Sequence, residues 1–151
     1  MTMRRGRRLG VDVGDVRIGV AVCDPDGLVA TPVETVPAGP RSIARLVEIT
    51  EEAGAFEVVV GLPKSLNGRE GPAAVKVRGY ALELLAALPD EVQVRLFDER
   101  MTTMTAASLL RQGGKSSKMS RNVIDQAAAT VILQGALDAE RTRGTAPGET
   151  L

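Results

Sequence analysis

Three acidic sites in this chain stand where carboxylates are unusual. Asp12 lies inside the apolar run Leu9 to Val13, Asp98 and Glu99 close the run Val92 to Phe97, and Asp125 opens a long helical stretch beside Ala127, Ala128 and Ala129. Strand alternation sets Gly10 and Asp12 on one face and Leu9, Val11 and Val13 on the other, so Asp12 is expected on a glycine-flanked, accessible face. A carboxylate half buried in such a run is costly unless it is paired, hydrogen-bonded or bound to a metal. Each acid has an ordinary account. Asp12 could cap the turn at Gly14-Asp15, Asp125 could complement a helix dipole, and Asp98 or Glu99 could pair with Arg100. The sharper account joins them, because strand ends and helix starts of an α/β sheet converge on one crevice. Hard carboxylate oxygens suit Mg²⁺ or Mn²⁺, and two such ions ~3.5 to 4 Å apart can activate water and stabilise the leaving oxygen of a phosphodiester.

Absent residue types narrow the chemistry further. With no histidine, the Ser-His-Asp and Cys-His nucleophile systems, histidine zinc sites and histidine general bases are excluded. The single cysteine, Cys23, builds no thiolate cluster and no internal disulfide; a buried, reduced thiol is expected, with a bridge between two chains the alternative should it be exposed. Two phosphate-loop patterns fail on inspection. Gly114-Lys115-Ser116 resembles the end of a P-loop, but the leading glycine would fall at Leu109; the spacing around Gly10 and Gly14 is not that of a dinucleotide site.

The elements that must position these acids follow from periodicity and turn chemistry. Residues 7 to 13 and 16 to 23 read as a hairpin joined at Gly14-Asp15, and residues 28 to 36 as a third strand, at the sheet edge because of Pro32. A helix is expected over 41 to 53, closed by Gly54. Residues 56 to 61 form a nearly continuous apolar strand of the kind buried on both faces. It runs into a Gly/Pro/Asn loop, Leu62 to Gly71, long enough to bind something. A helix over 72 to 88 should bury Val75, Val77 or Arg78, Leu82, Leu85 and Leu88, and a fifth strand spans 92 to 97. Thr102 or Thr103 can cap a helix from about 104 to 112, residues 113 to 118 form a basic loop, and Ser120 or Asn122 caps a last helix to about 141. The fold class is α/β: one domain over residues 1 to 141, with three antiparallel strands followed by parallel ones in a five-stranded mixed sheet flanked by helices. Residues 142 to 151 read as a frayed, flexible tail.

At 151 residues and 44% apolar content the chain supports one domain with a core of Val, Ile, Leu and Ala. No apolar run is long enough to span a bilayer and no signal-peptide pattern follows the N-terminus, so a cytoplasmic location and no membrane partner are expected. Nineteen basic and nineteen acidic residues cancel, yet their distribution is uneven. Arg4, Arg5, Arg7 and Arg8 crowd the N-terminus, where solubility is the plain explanation. From Arg100 to Ile124 there are five positive charges and no negative one, a segment able to meet a polyanion.

Four blocks, taken together and in order, resemble the signature of the YqgF/RuvX family. They are Asp12-Val-Gly-Asp-Val-Arg17-Ile-Gly-Val-Ala, Val60-Gly61-Leu62-Pro63 with Asn67-Gly68, Asp98-Glu99-Arg100-Met101-Thr102-Thr103, and Ile124-Asp125-Gln126-Ala127-Ala128. The resemblance implies an RNase H-like domain, a cytoplasmic location, and a nuclease described both as a pre-16S rRNA processing enzyme and as a Holliday junction resolvase. Carried over by motif position, Asp12, Glu99 and Asp125 would be the metal-binding, catalytic carboxylates for two Mg²⁺ or Mn²⁺ ions. Asp98 is disfavoured because adjacent strand residues face opposite sides, and would replace Glu99 if the strand bulged. Arg17, Lys64, Asn67 and Arg100 would contact substrate or orient the carboxylates, with purely structural pairing the alternative; Lys115, Lys118 and Arg121 would touch phosphates. With few aromatics for base stacking, the nucleic acid would be read by backbone and shape.

The leading expectation is thus a metal-dependent endonuclease acting on structured nucleic acid in maturing the 5′ end of pre-16S rRNA, and the alternative is resolution of four-way DNA junctions. A junction has approximate two-fold symmetry and calls for two active sites, whereas an RNA end needs one, so both a monomer and a homodimer stay open. Two further readings are a non-catalytic nucleic-acid-binding factor and an actin-like ATPase, for whose second lobe the chain hardly leaves room.

Overall fold

The computed structural model describes residues 3–64, 67–99 and 121–151, the first three residues of the last segment by backbone alone. Arg100, Lys115, Lys118, the expected helix over 104 to 112 with its caps, and the basic loop over 113 to 118 lie outside the described residues.

Val-rich alternation builds the sheet. Strands β1 (Arg8–Val13), β2 (Arg17–Cys23) and β3 (Ala30–Pro37) form the expected antiparallel meander, β4 (Glu57–Leu62) pairs parallel with β1, and β5 (Gln93–Asp98) pairs parallel with β4. A sixth strand, β6 (Glu149–Thr150), adds antiparallel to β5, giving the order β3-β2-β1-β4-β5-β6. The expectation of five strands and a frayed tail is therefore corrected. The Leu151 N–H donates to the Val94 carbonyl at 3.1 Å, Leu151 packs on the core, and Arg78 grips Glu149 at 2.8 Å. Two residues are too few to carry a period-two pattern, which is why this strand leaves no trace in the sequence.

Helices α1 (Ser42–Ala53) and α2 (Pro72–Ala87) cover one face of the sheet, and α3 (Arg121–Arg143) covers the other. Gly54 closes α1 in the left-handed conformation, at φ 67°, as its position predicted. The stripe that α2 buries is Ala74, Val77, Ala81 and Leu84, with Leu88 just beyond the helix, whereas Val75 and Leu82 are exposed. That departs from the larger apolar set expected. Alanines at the contact let the helix sit close to the sheet, so packing selected the small residues over the bulky ones. Among the described residues no helix is long and apolar enough to cross a membrane.

The N-terminal arginines divide: Arg5 and Arg7 are exposed, as a solubility role expects, whereas Arg4 and Arg8 turn inward. Arg8 is buried, and its guanidinium donates to Glu140 Oε2 at 3.1 Å. Arg4 donates to Glu57 at 2.8 Å and to Glu140 at 2.8 Å, and Arg95 donates to Glu57 at 2.7 Å. Both Arg4 and Arg8 also lie over the Phe56 ring. Glu57 and Glu140 are buried, and each is held by two arginines, which offsets the cost of removing them from water. Cys23 is buried as well and accepts the Arg8 backbone N–H, so it offers no thiol for cross-linking chains.

Candidate active site

Alternation sends Asp12 of β1, Arg17 and Gly19 of β2, Gly61 of β4 and Glu99, just after β5, toward the α3 face, where Asp125 sits in the first turns of that helix. The glycines decide how close the layers come. A Cβ on Gly10 would lie 2.6 Å from Leu133 Cβ, and one on Gly19 would lie 2.0 Å from the Asp125 carbonyl oxygen. Both distances are too short for any side chain, so α3 rests directly on strand backbone. Gly10 thus does not keep the Asp12 face open, as its place beside the acid suggested; the helix fills that space. Gly61 makes room for Glu99 itself, since a Cβ there would lie 2.7 Å from Glu99 Oε1 and 2.5 Å from Ile132 Cδ1.

Asp12 and Glu99 are both half-buried and share a hydrogen bond. Burial, then the charge of Asp12 and that hydrogen bond, then Asp98, push the Glu99 carboxyl up to about 7. Asp12 is raised too, by burial and then by the charge of Asp125. Near neutral pH the pair therefore retains a proton, with Glu99 donating to the Asp12 carboxylate. Asp125 is held from the side by Arg17, whose Nε donates to Asp125 Oδ2 at 3.0 Å. Glu99 follows β5, which ends at Asp98, and it is Glu99 that bonds Asp12.

These groups fit a hard divalent cation in part. Two carboxylates pressed together in partial burial, held there by a shared proton, supply the donor chemistry Mg²⁺ or Mn²⁺ takes. Asp125 is turned to Arg17 instead, and among the described residues no three acidic or thiol side chains stand together as a metal cluster. A cavity of about 470 Å³ opens beside Asp12 and Glu99, between the β1–β2 turn and the start of α2, walled by Asp15, Pro63, Pro72 and Lys76.

The other candidate residues scatter. Lys64 exerts its charge on Glu70 and Glu149, beside Arg78 rather than in the cavity. Asn67 turns its own loop by accepting the Arg69 N–H at 3.1 Å. Arg121 is the first residue of α3, with its side chain outside the described residues, as are Arg100, Lys115 and Lys118. The sequence reading missed the Lys76–Asp15 ion pair that crosses the cavity mouth. The only signal for it was a lysine one turn inside a proline-started helix.

The family model described as RuvX, Holliday junction resolvase, matches residues 6–139. The chain belongs to this family. Over 151 residues it is 62% identical to a Streptomyces avermitilis protein named "Putative pre-16S rRNA nuclease", covering 99% of this chain and 96% of that one. A Streptomyces coelicolor protein of the same name is 60% identical over 149 residues, 97% of this chain and 89% of the relative. Among solved structures, the RuvX-family chain superposes on Thermus thermophilus RuvC in complex with a Holliday junction substrate with a TM-score of 0.64 at 22% identity, covering 97% and 99% of the two chains. The yeast mitochondrial Holliday junction resolvase Ydc2 gives 0.54 at 14% identity, covering 91% and 80%. At those identities the likeness is one of fold: the mixed sheet flanked by helices is that of the RuvC-like, RNase H-like class.

Proposed function

We propose that this chain is a metal-dependent nuclease that hydrolyses phosphodiester bonds in structured RNA, in maturing the 5′ end of pre-16S rRNA. One observation carries the reading: the hydrogen-bonded Asp12–Glu99 pair at the strand ends, with the charge of Asp125, from the start of α3, acting on Asp12. The names of the two Streptomyces relatives supply the substrate.

In this reading Asp12, Glu99 and Asp125 hold one or two Mg²⁺ or Mn²⁺ ions, which when bound supply a nucleophilic water and stabilise the leaving oxygen. A cation bound there would favour the ionised form of Glu99, whose proton would pass to solvent, so that both carboxylates of the pair could act as ligands. Arg17 holds the Asp125 carboxylate beside the pair and balances its charge until a cation would draw it in. Val13, Gly14, Pro63 and Pro72 shape a mouth without aromatic rings, suited to a sugar-phosphate backbone more than to stacked bases.

The test pairs wild type with Asp12→Asn on 5′-extended 16S precursor RNA and on a four-way DNA junction, each with Mg²⁺ or Mn²⁺. Wild type should trim the RNA, and the variant should be at least about 100-fold slower. Equal cleavage by both proteins would remove Asp12 from the chemistry. The family's own description favours a second reading, junction resolution; it prevails if the DNA is cut and the RNA is not.

A further inference from the structure

We propose that Lys76 is a phosphate-contact residue for the scissile strand, and that Asp15 holds it in reserve until the nucleic acid arrives. The inference rests on the nuclease reading. Asp12 and Glu99 lie at one side of the cavity, while Asp15, from the β1–β2 turn, and Lys76, from the second turn of α2, reach across it and form an ion pair.

Charge makes the lysine necessary. Three carboxylates line this cavity, and among the described residues that line it Lys76 is the one cation. A polyanion approaching this acidic lining needs positive charge at the point of contact, beyond whatever a cation at Asp12 and Glu99 would neutralise. Lys76 is also free to change partners. Its side chain is 57% exposed and that of Asp15 is 84% exposed, and a solvated pair of this kind contributes little, so releasing the carboxylate to meet a phosphate costs little. Neighbouring arginines are fixed by comparison. Arg78 is clamped by Glu70 and Glu149, and Arg17 is taken by Asp125. An ammonium on a flexible stem gives three donors with no demand for a particular base, matching contact to a backbone.

The two members of the pair therefore have opposite effects. With the full chain cleaving precursor RNA, Lys76→Gln is expected to raise KM about 5- to 10-fold, leave kcat within about two-fold, and lower the salt dependence by about one counterion. Lys76→Arg should restore most of the loss. Asp15→Asn should lower KM about 2- to 5-fold, and that gain should vanish in the double variant with Lys76→Gln, because it acts through the freed lysine. An unchanged KM or salt slope in Lys76→Gln overturns the inference. So does a rise in KM for Asp15→Asn alongside Lys76→Gln, which would mark the pair as a strut between turn and helix. If wild type cuts no nucleic acid, the nuclease reading fails and takes this inference with it; an active wild type with indistinguishable Lys76 variants defeats the inference alone.

Discussion

Gly19 lies directly beneath Asp125: a Cβ built on the glycine would come within 2.0 Å of the Asp125 carbonyl oxygen and 2.5 Å of its carbonyl carbon. The acid is thus delivered by backbone resting on backbone, with no side chain between. Gly19→Ala must push the start of α3 off the sheet. We expect a loss of about 2 to 3 kcal/mol in urea unfolding and near-complete loss of cleavage even where the variant remains folded. Gly79→Ala is the matched control, since that glycine is exposed in the middle of α2 with open space where the Cβ would lie.

The Asp12–Glu99 pair predicts a pH dependence of stability. Glu99 is raised from the usual 4.5 to about 7 in the folded chain. A raised carboxyl contributes stability that is fully present below about 4.5 and is lost as the pH climbs through about 7. In chelator, wild type should therefore weaken between pH 5 and pH 8 relative to Glu99→Gln, by on the order of 2 kcal/mol after allowing for partial exposure. Urea melts at the two pH values measure it. Added Mg²⁺ should return the difference by binding the folded state. Parallel curves for the two proteins would show that Glu99 carries no such proton.

Arg17 is expected to orient Asp125 more than to support the fold. Both side chains are partly exposed, 29% and 24%, so Arg17→Gln should cost less than about 1 kcal/mol of stability. Cleavage should fall about ten-fold or more, because Asp125 loses the donor that fixes its carboxylate. Arg17→Lys should recover part of the rate, since it keeps the charge without the planar guanidinium. Wild-type kinetics in Arg17→Gln would end the orienting role.

The last strand should matter to stability alone. Removing residues 149 to 151 deletes the Leu151–Val94 hydrogen bond, frees Arg78 from Glu149, and uncovers the Leu96 side of β5. A loss of about 1 to 3 kcal/mol is expected in thermal or urea melts, with cleavage per folded molecule retained at low temperature.

Strand alternation was enough to separate Asp12 from the apolar face of β1, because a period of two is a local property that the sequence writes directly; for Asp98 and Glu99 it said only that the two face opposite sides, and motif position supplied the preference for Glu99. The meander, the crossover helices and the glycine stop at Gly54 were legible for the same reason. What escaped depends on contacts between distant residues. Nothing local in Arg4 or Arg8 distinguishes a solvated cation from one buried against Glu57 and Glu140, residues 53 and 132 positions away respectively. Gly10 read as a residue that leaves the Asp12 face accessible, and Gly19 carried no reading of its own, until α3 lies on them. Glycines inside otherwise regular strands were the available clue to that close approach. Lys76 drew no notice because its meaning comes from Asp15 and the cavity, neither of which is near it in the chain.

Cys23 turns this architecture into its own reporter. The one sulfur in a cysteine of this chain lies 2% exposed under α3, packed among residues of the cluster that includes Ala129 and Leu133, and burial raises its thiol above the usual range. A thiol reagent can reach it only when that helix lifts away from the strands. The labelling rate of the unaltered protein therefore counts opening events of the element that carries Asp125, and gives their free energy without any engineered probe.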